Sequence, residues 1–216
     1  MIGKVGDVFQ FKVAETNVTE EALYEELPYR VYSTTAVITD IAPTNNTDEM
    51  IIVADFQYDA PEQTSCRQQS PAGGYGGFMT LIDASKKVIS VGGSTTGTYT
   101  LEIGHDYFIS TTLKDGSISS SLFDGADDTL STPLDTITRN AGSNITRPVW
   151  VGNSYIATSS MYNQFRYNGL KVKQVSIYRQ GELVFSGKPV QRITDAEFGI
   201  LDSVSGNFYL EETITI

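Results

Sequence analysis

Aromatic residues set among small polar residues are the side chains of this chain best suited to bind a ligand. Tyr75 stands in the glycine-rich run 73–77, and four more aromatic side chains fall within residues 153–168 together with one arginine, namely Tyr155, Tyr162, Phe165, Tyr167 and Arg166. An aromatic ring offers apolar area with a polar rim and can stack on a sugar ring, and Tyr or Arg among Ser and Asn is typical of protein contact surfaces. These residues are therefore predicted to contact a glycan or a protein partner. The alternative interpretation is that they are loop aromatics packed against the rim of the domain.

Three acidic residues in a polar stretch form the candidate metal site. Asp124, Asp127 and Asp128 lie close together in the sequence, and Ca²⁺ prefers carboxylate and carbonyl oxygens as ligands. The stretch lacks the full D-x-D-x-D-G pattern, so three solvated acids are the alternative. Cys66 is the only cysteine, which leaves no internal disulfide and no Cys–His zinc site. A structural Ca²⁺ is therefore the one metal predicted, and no other cofactor is expected.

The residues that most hydrolases need are sparse. His105 is the only histidine, and the G-x-S-x-G elbow that often accompanies a Ser-His-Asp triad does not occur. A retaining glycoside hydrolase needs two carboxylates on one face, about 5 Å apart. The pairs Glu25 and Glu26, and Glu211 and Glu212, are adjacent in sequence, so on a strand they point to opposite faces. The chain is therefore predicted not to be an enzyme, and a divergent glycoside hydrolase remains as an alternative.

The net charge of −11 excludes several classes of partner. A chain this acidic is repelled by nucleic acid and by anionic bilayers. No apolar run approaches the roughly 18 residues of a membrane span, and the opening residues lack the apolar core of a signal peptide. The charge is uneven, because residues 1–135 hold 20 acids and 7 bases whereas residues 136–216 hold 6 acids and 8 bases. The basic segment is predicted to be a solvated face, or a patch that meets the acidic part of another copy or an anionic glycan.

Short strands separated by turns must position all of these residues. Alternating apolar and polar residues and β-branched runs predict strands at 9–13, 32–41, 50–58, 78–82, 88–91, 99–103, 107–113, 117–123, 148–152, 169–178, 183–185, 198–201 and 208–210. Asp115 and Gly116 form a strong hairpin turn. One short helix is predicted, capped by Asn17 with Glu20 three residues later and ended by Pro28. Many short strands at regular spacing indicate a β-sandwich or a barrel.

Several segments also match a known succession of strands and turns. The matches comprise a P-T-N-N-T turn before a strand ending in D-F-Q, a K-D-G-S-I hairpin with an F-D-G end, and a closing set of strands. They fall at residues 38–47, 51–58, 106–108, 114–118, 123–125, 169–178, 182–184 and 189–209. In this combination they resemble the laminin-G-like and concanavalin-like jelly rolls of bacteriophage virion proteins.

This resemblance implies an all-β fold, a two-sheet antiparallel jelly-roll sandwich of the concanavalin/laminin-G-like type, over residues 36–216. Residues 1–35 match nothing in that family and are predicted to be a docking segment with one strand and the short helix. The resemblance further implies a non-enzymatic protein on the virion surface, made in the host cytoplasm. Its foremost role would be capsid decoration or head auxiliary protein, with other capsid or tail proteins or copies of itself as partners. The alternative is a glycan-binding module of a receptor-binding apparatus such as a tail fibre, which binds a cell-surface glycan.

Overall fold

The regular structure of the residues that can be described consists of antiparallel β-strands. The computed structural model describes residues 4–5, 8–10, 23–32, 35–59, 70–74, 78–83, 88–91, 95–142, 145–152 and 170–213. The strands in these residues are β1 (Lys4–Val5), β2 (Val8–Gln10), β3 (Leu23–Glu26), β4 (Arg30–Val31), β5 (Thr35–Ile38), β6 (Met50–Tyr58), β7 (Ala72–Gly73), β8 (Thr80–Asp83), β9 (Val88–Val91), β10 (Thr95–Thr96), β11 (His105–Lys114), β12 (Ser117–Asp124), β13 (Asp135–Asn140), β14 (Trp150–Gly152), β15 (Leu170–Arg179), β16 (Glu182–Arg192), β17 (Phe198–Asp202) and β18 (Phe208–Thr213). The described residues contain no helix, and hence none that is long and apolar enough to cross a membrane.

Six long strands form the main sheet, in the order β13-β12-β11-β6-β15-β16. Strand β6 lies at its centre and pairs along its whole length with β11 on one side and β15 on the other. Every second side chain of β6, from Met50 to Tyr58, is buried, and those between are half-buried. Successive side chains of a strand point to opposite faces, so one face of the sheet lies on the core and Asp55 and Gln57 lie on the outward face.

A second layer covers the inner face of the main sheet. It comprises β18, β5, β14 and β7, which follow β16 and β17 in strand order, and the separate three-stranded sheet β10-β9-β8. Val37 of β5, Val151 of β14 and Ile89 of β9 pack in one apolar cluster with Ile52 and Phe185 of the main sheet. Burial of side chains from both layers in one core defines an antiparallel β-sandwich, and the predicted all-β sandwich is confirmed.

The predicted helix is wrong where the structure describes it. Leu23–Glu26 is strand β3, which pairs with β2 and with the end of β16. Tyr24 is only 8% exposed and packs with Val190 and Leu201. This pairing and burial outweigh the weak helical propensity of the segment. The predicted cap at Asn17 and Glu20 lies outside the described residues.

Two further differences concern the stretch between β9 and β14. The predicted strand at 99–103 is instead irregular, because the backbone N–H groups of Thr98 and Tyr99 donate to Asp135 Oδ2, at 2.7 and 2.9 Å, rather than to a neighbouring strand. Residues 135–140, predicted as loop, form the edge strand β13 beside β12. Ile137 is the only residue of β13 that is buried, so the apolar alternation that signals a strand is nearly absent from its sequence.

The segment that precedes residue 36 contributes to the sandwich. Tyr32 is fully buried in the main core, and β4 pairs with β15. Arg30 forms a two-bonded ion pair with Glu211 of β18, with nitrogen–oxygen distances of 2.8 and 3.1 Å. The part of this segment from 23 to 32 is therefore held against both layers, and a docking role for residues 1–35 stays a prediction.

Candidate functional site

The contact residues predicted from the sequence, five aromatics and one arginine, lie outside the described residues. These are Tyr75, Tyr155, Tyr162, Phe165, Arg166 and Tyr167. Their contact with a glycan or a protein stays a prediction.

The carboxylates of the acidic loop are engaged by their own loop. Asp127 accepts hydrogen bonds from the backbone N–H groups of Thr132 and Ser131, at 2.8 and 3.0 Å, and these and the hydroxyl groups nearby lower the pKa of Asp127. Asp124 accepts from the N–H of Ala126 at 2.9 Å and lies 3.0 Å from His105 Nε2. No group of three His, Cys, Asp or Glu side chains in the described residues is placed to hold a metal ion. Calcium at Asp124, Asp127 and Asp128 therefore stays a prediction without geometric support.

A groove of about 310 Å³ opens on the outward face of the main sheet. Alternation along β16 turns Ser186, Lys188 and Val190 outward, while the residues between them are directed to the core or packed beneath. Strand β3 runs along the end of β16 with Glu26 opposite Val190, and Leu201 of β17 lies opposite Lys188. The groove is lined by Tyr24, Glu26, Gln174, Ser186, Lys188, Val190, Leu201 and Ser203.

The floor of the groove is apolar and firmly packed. Tyr24, Val190 and Leu201 are 8%, 3% and 8% exposed and form a small cluster with Phe208, separate from the main core. The rings of Tyr24 and Phe208 lie 5.4 Å apart, and Arg192 packs its guanidinium over the Phe208 ring at 4.6 Å. Burial raises the pKa of Tyr24 although Arg192 acts to lower it, so the Tyr24 hydroxyl stays protonated at neutral pH and can donate a hydrogen bond.

The rim of the groove carries donors and acceptors side by side. Lys188 Nζ lies 2.7 Å from Glu26 Oε1, and Gln174 Nε2 donates to Ser186 Oγ at 3.0 Å. The side chains of Lys188 and Glu26 remain 49% and 32% exposed, so each keeps bonding capacity for a ligand. An ammonium next to a carboxylate can donate to one hydroxyl group and accept from its neighbour.

A strip of polar side chains continues from the groove along the same face, and we name it the polar strip: Asp55, Gln57, Asp106, Lys171 and Lys173. Lys173 lies 2.6 Å from Asp106, Gln57 donates to Asp106 at 3.1 Å, and Lys171 donates to Gln57 at 3.0 Å. A β-bulge in β15 leaves Lys173 as an extra residue between Val172, which pairs with Phe56, and Gln174, which pairs with Asp55. Bulges re-aim side chains and are frequent beside functional sites.

Asp55 is the unusual member of the polar strip. Its carboxylate is half-buried and accepts no hydrogen bond from any residue that the structure describes. Burial raises the pKa of Asp55, Lys173 acts to lower it and Asp106 adds to the increase. A half-buried carboxylate without hydrogen bonds costs stability, and such costs concentrate where a side chain serves a ligand.

Several bases of the later part of the sequence are paired with acids of the earlier part. Within the described residues, at least four of the eight bases in residues 136–216 form such pairs, with nitrogen–oxygen distances of 2.6 to 2.8 Å. The pairs are Lys171–Asp59, Lys173–Asp106, Arg179–Asp48 and Lys188–Glu26. The uneven charge along the sequence is therefore balanced within one molecule to this extent. These four bases are therefore not free to form the basic patch predicted to contact another copy or an anionic glycan.

The comparisons with known proteins concern the fold. No family model and no curated protein sequence matches this chain. A solved protein of Bacteroides ovatus, provisionally named as carbohydrate-binding, superposes with a TM-score of 0.53 at 11% identity, over 96% of this chain and 67% of its own. The chain has the concanavalin A-like jelly-roll fold.

Two other solved structures are more distant. Tailspike protein 2 of an Escherichia coli O157:H7 bacteriophage matches with a TM-score of 0.43 at 14% identity, over 74% of this chain and 22% of the tailspike. The exoplasmic/lumenal domain of VIP36, in a Ca²⁺- and mannose-bound form, matches with a TM-score of 0.39 at 9% identity, over 82% of this chain and 80% of its own. The match to tailspike protein 2 thus means that this chain spans about a fifth of the length of the tailspike.

Proposed function

We propose that this protein binds carbohydrate and that the groove on the outward face of the main sheet is the binding site. The observation that carries the proposal is the combination of an apolar floor, formed by Tyr24, Val190 and Leu201, with the ammonium–carboxylate pair of Lys188 and Glu26 at the rim. A pyranose ring has an apolar face and an edge of hydroxyl groups. The apolar face of the sugar would pack on the floor of the groove, and its hydroxyl groups would form hydrogen bonds with the rim.

The size and lining of the groove support a small ligand or one unit of a larger one. Pockets for small molecules begin at about 300 Å³ and combine an apolar lining with a few polar groups that fix orientation. The groove, at about 310 Å³, stands at the lower end of that range. The wider role that we propose is a non-enzymatic glycan-binding module of a phage receptor-binding apparatus, supported by the sequence resemblance to virion jelly rolls.

Capsid decoration, the foremost expectation from the sequence, has less support. The contrast between an acidic first part and a basic later part favours contacts between copies, but four bases of the later part are neutralised within the chain. The role stays a prediction. Fractionation of purified virions, with the chain located on heads or on tails, tests it.

A glycan array tests the binding proposal. The wild type is expected to bind a defined set of glycans, and Ser203→Trp, which places a large ring at the mouth of the groove, is expected to abolish the signal. Thr138→Trp is the matched control, because Thr138 is exposed on β13 of the same sheet and away from the groove. Tyr75→Ala and Tyr155→Ala test the contacts predicted from the sequence. Binding that survives Ser203→Trp but not the tyrosine changes would assign the site to those tyrosines, and no binding by the wild type would overturn the proposal.

A further inference from the structure

We infer that the ligand is an uncharged, linear carbohydrate chain that crosses the sheet from the groove onto the polar strip. This inference rests on the proposed function and specifies the class of glycan. The groove alone would suit a single terminal sugar, whereas the groove and the polar strip form one continuous surface.

Gln174 connects the two parts. It lines the groove and hydrogen-bonds Ser186 there, and in the pairing of β15 with β6 it lies directly opposite Asp55. On the far side of Asp55, strand β11 brings Asp106 opposite Gln57. The surface thus crosses β16, β15, β6 and β11, and four strands at a spacing of about 4.8 Å extend over roughly 15 Å. One sugar ring is too short to contact both ends.

The bonding state of the polar strip favours a ligand rich in hydroxyl groups. Asp106, Gln57 and Lys171 already hold one another by hydrogen bonds, so their geometry is fixed before any ligand arrives. Asp55 lies between this network and the groove and accepts no hydrogen bond from the described residues. A hydroxyl group from a sugar unit above it would supply the missing donor, and a preorganised neighbour lowers the cost of ordering the site.

The charges along this path select against an anionic chain. The two lysines of the polar strip are each paired with an aspartate, Lys171 with Asp59 and Lys173 with Asp106, and Lys188 in the groove is paired with Glu26. Asp55 then remains as an extra negative charge, on a chain whose net charge is −11. A ligand with carboxylate or sulfate groups would meet this charge in a partly desolvated setting.

Calorimetric titration with oligosaccharides of increasing length tests the inference. The probes are cello-, malto- and chito-oligosaccharides from one to four units, with oligogalacturonate of the same lengths as the anionic series. For the neutral series that binds, the affinity of the wild type is expected to rise at least about tenfold from the single sugar to the tetrasaccharide, since hydrogen bonds to charged groups account for such a factor. Oligogalacturonate is expected to bind more weakly at every length.

Two variants assign the gain to the polar strip. Asp55→Ala is expected to lower tetrasaccharide affinity about tenfold and to leave single-sugar affinity unchanged. Thr138→Ala, a change of similar size elsewhere on the same face, is expected to change neither. If a single sugar binds but affinity does not rise with ligand length, or if the rise persists in Asp55→Ala, the inference of a linear carbohydrate ligand is wrong. The groove would then still be supported as the binding site. Absence of binding by every probe overturns the groove as well.

Discussion

Replacement of Lys188 by alanine separates ligand binding from folding at the groove. The Lys188–Glu26 pair has a nitrogen–oxygen distance of 2.7 Å, and its side chains are 49% and 32% exposed. Exposed pairs of this kind contribute at most about 1 kcal/mol to stability, so the variant is expected to unfold within that margin of the wild type. A hydrogen bond between a charged group and a ligand contributes about 1.5–3 kcal/mol, which corresponds to roughly tenfold to 150-fold in affinity. Because the rim is half-exposed, the lower part of that range applies.

Two measurements on the same samples check this expectation. Urea unfolding gives the stability, and calorimetric titration with the best ligand from the array gives the affinity. Lys114→Ala is the matched control, since Lys114 forms a similar ion pair with Glu49 at 3.1 Å and lines no part of the groove. An affinity for Lys188→Ala within twofold of the wild type, in a folded variant, would refute the assignment of the rim to sugar recognition.

Three further changes test the account of the fold and of the polar strip. Asp55→Asn is expected to raise the melting temperature at pH 7, because the folded state raises the pKa of Asp55 and so disfavours its charged form. In thermal melts at a series of pH values, this gain in melting temperature should decrease as the pH drops through the raised pKa and vanish below the ordinary pKa of Asp. Asp48→Ala is expected to cost about 1.5–3 kcal/mol in urea unfolding at pH 7, since it removes a buried carboxylate that accepts hydrogen bonds from Thr44 and from the half-buried Arg179. Burial acts to raise the pKa of Asp48, but hydrogen bonds from Thr44 and the charge of Arg179 lower it overall. In the wild type, the stability that the Asp48 carboxylate contributes should therefore be lost as the pH falls through this lowered pKa. Gly152→Ala is expected to destabilise the fold by about 3 kcal/mol, because Gly152 has φ +93° and an added methyl group would collide with the Tyr32 ring. Unchanged stability in any of these three variants would contradict the cause given for it.

The main sheet could be predicted from sequence because its signals are local. Alternation from Met50 to Tyr58 and the Asp115-Gly116 turn appear in the structure as β6 and as the hairpin of β11 and β12. The same alternation is enough to assign Asp55 to the face opposite to Ile52. Both features depend on neighbouring residues alone, so no knowledge of the tertiary structure was needed.

The groove could not be predicted in the same way. Its floor joins Tyr24, Val190 and Leu201, which are distant in sequence and meet only because β3 pairs with the end of β16 and β17 follows β16 in a hairpin. Because the sequence pattern predicts a helix over the residues of β3, the contact between Tyr24 and Val190 could not be inferred from the sequence. A polar edge strand such as β13 was missed for a related reason, since a strand with one core residue has no periodic signal.

The most direct test of the binding site is a map of amide chemical shifts in the ¹⁵N-labelled protein during titration with the tightest-binding neutral tetrasaccharide. We expect the largest changes at Lys188, Ser186, Gln174 and Asp55, which mark a path from the groove to the polar strip. Changes confined to residues 124–128 or 153–168, with these four amides unmoved, would contradict this expectation.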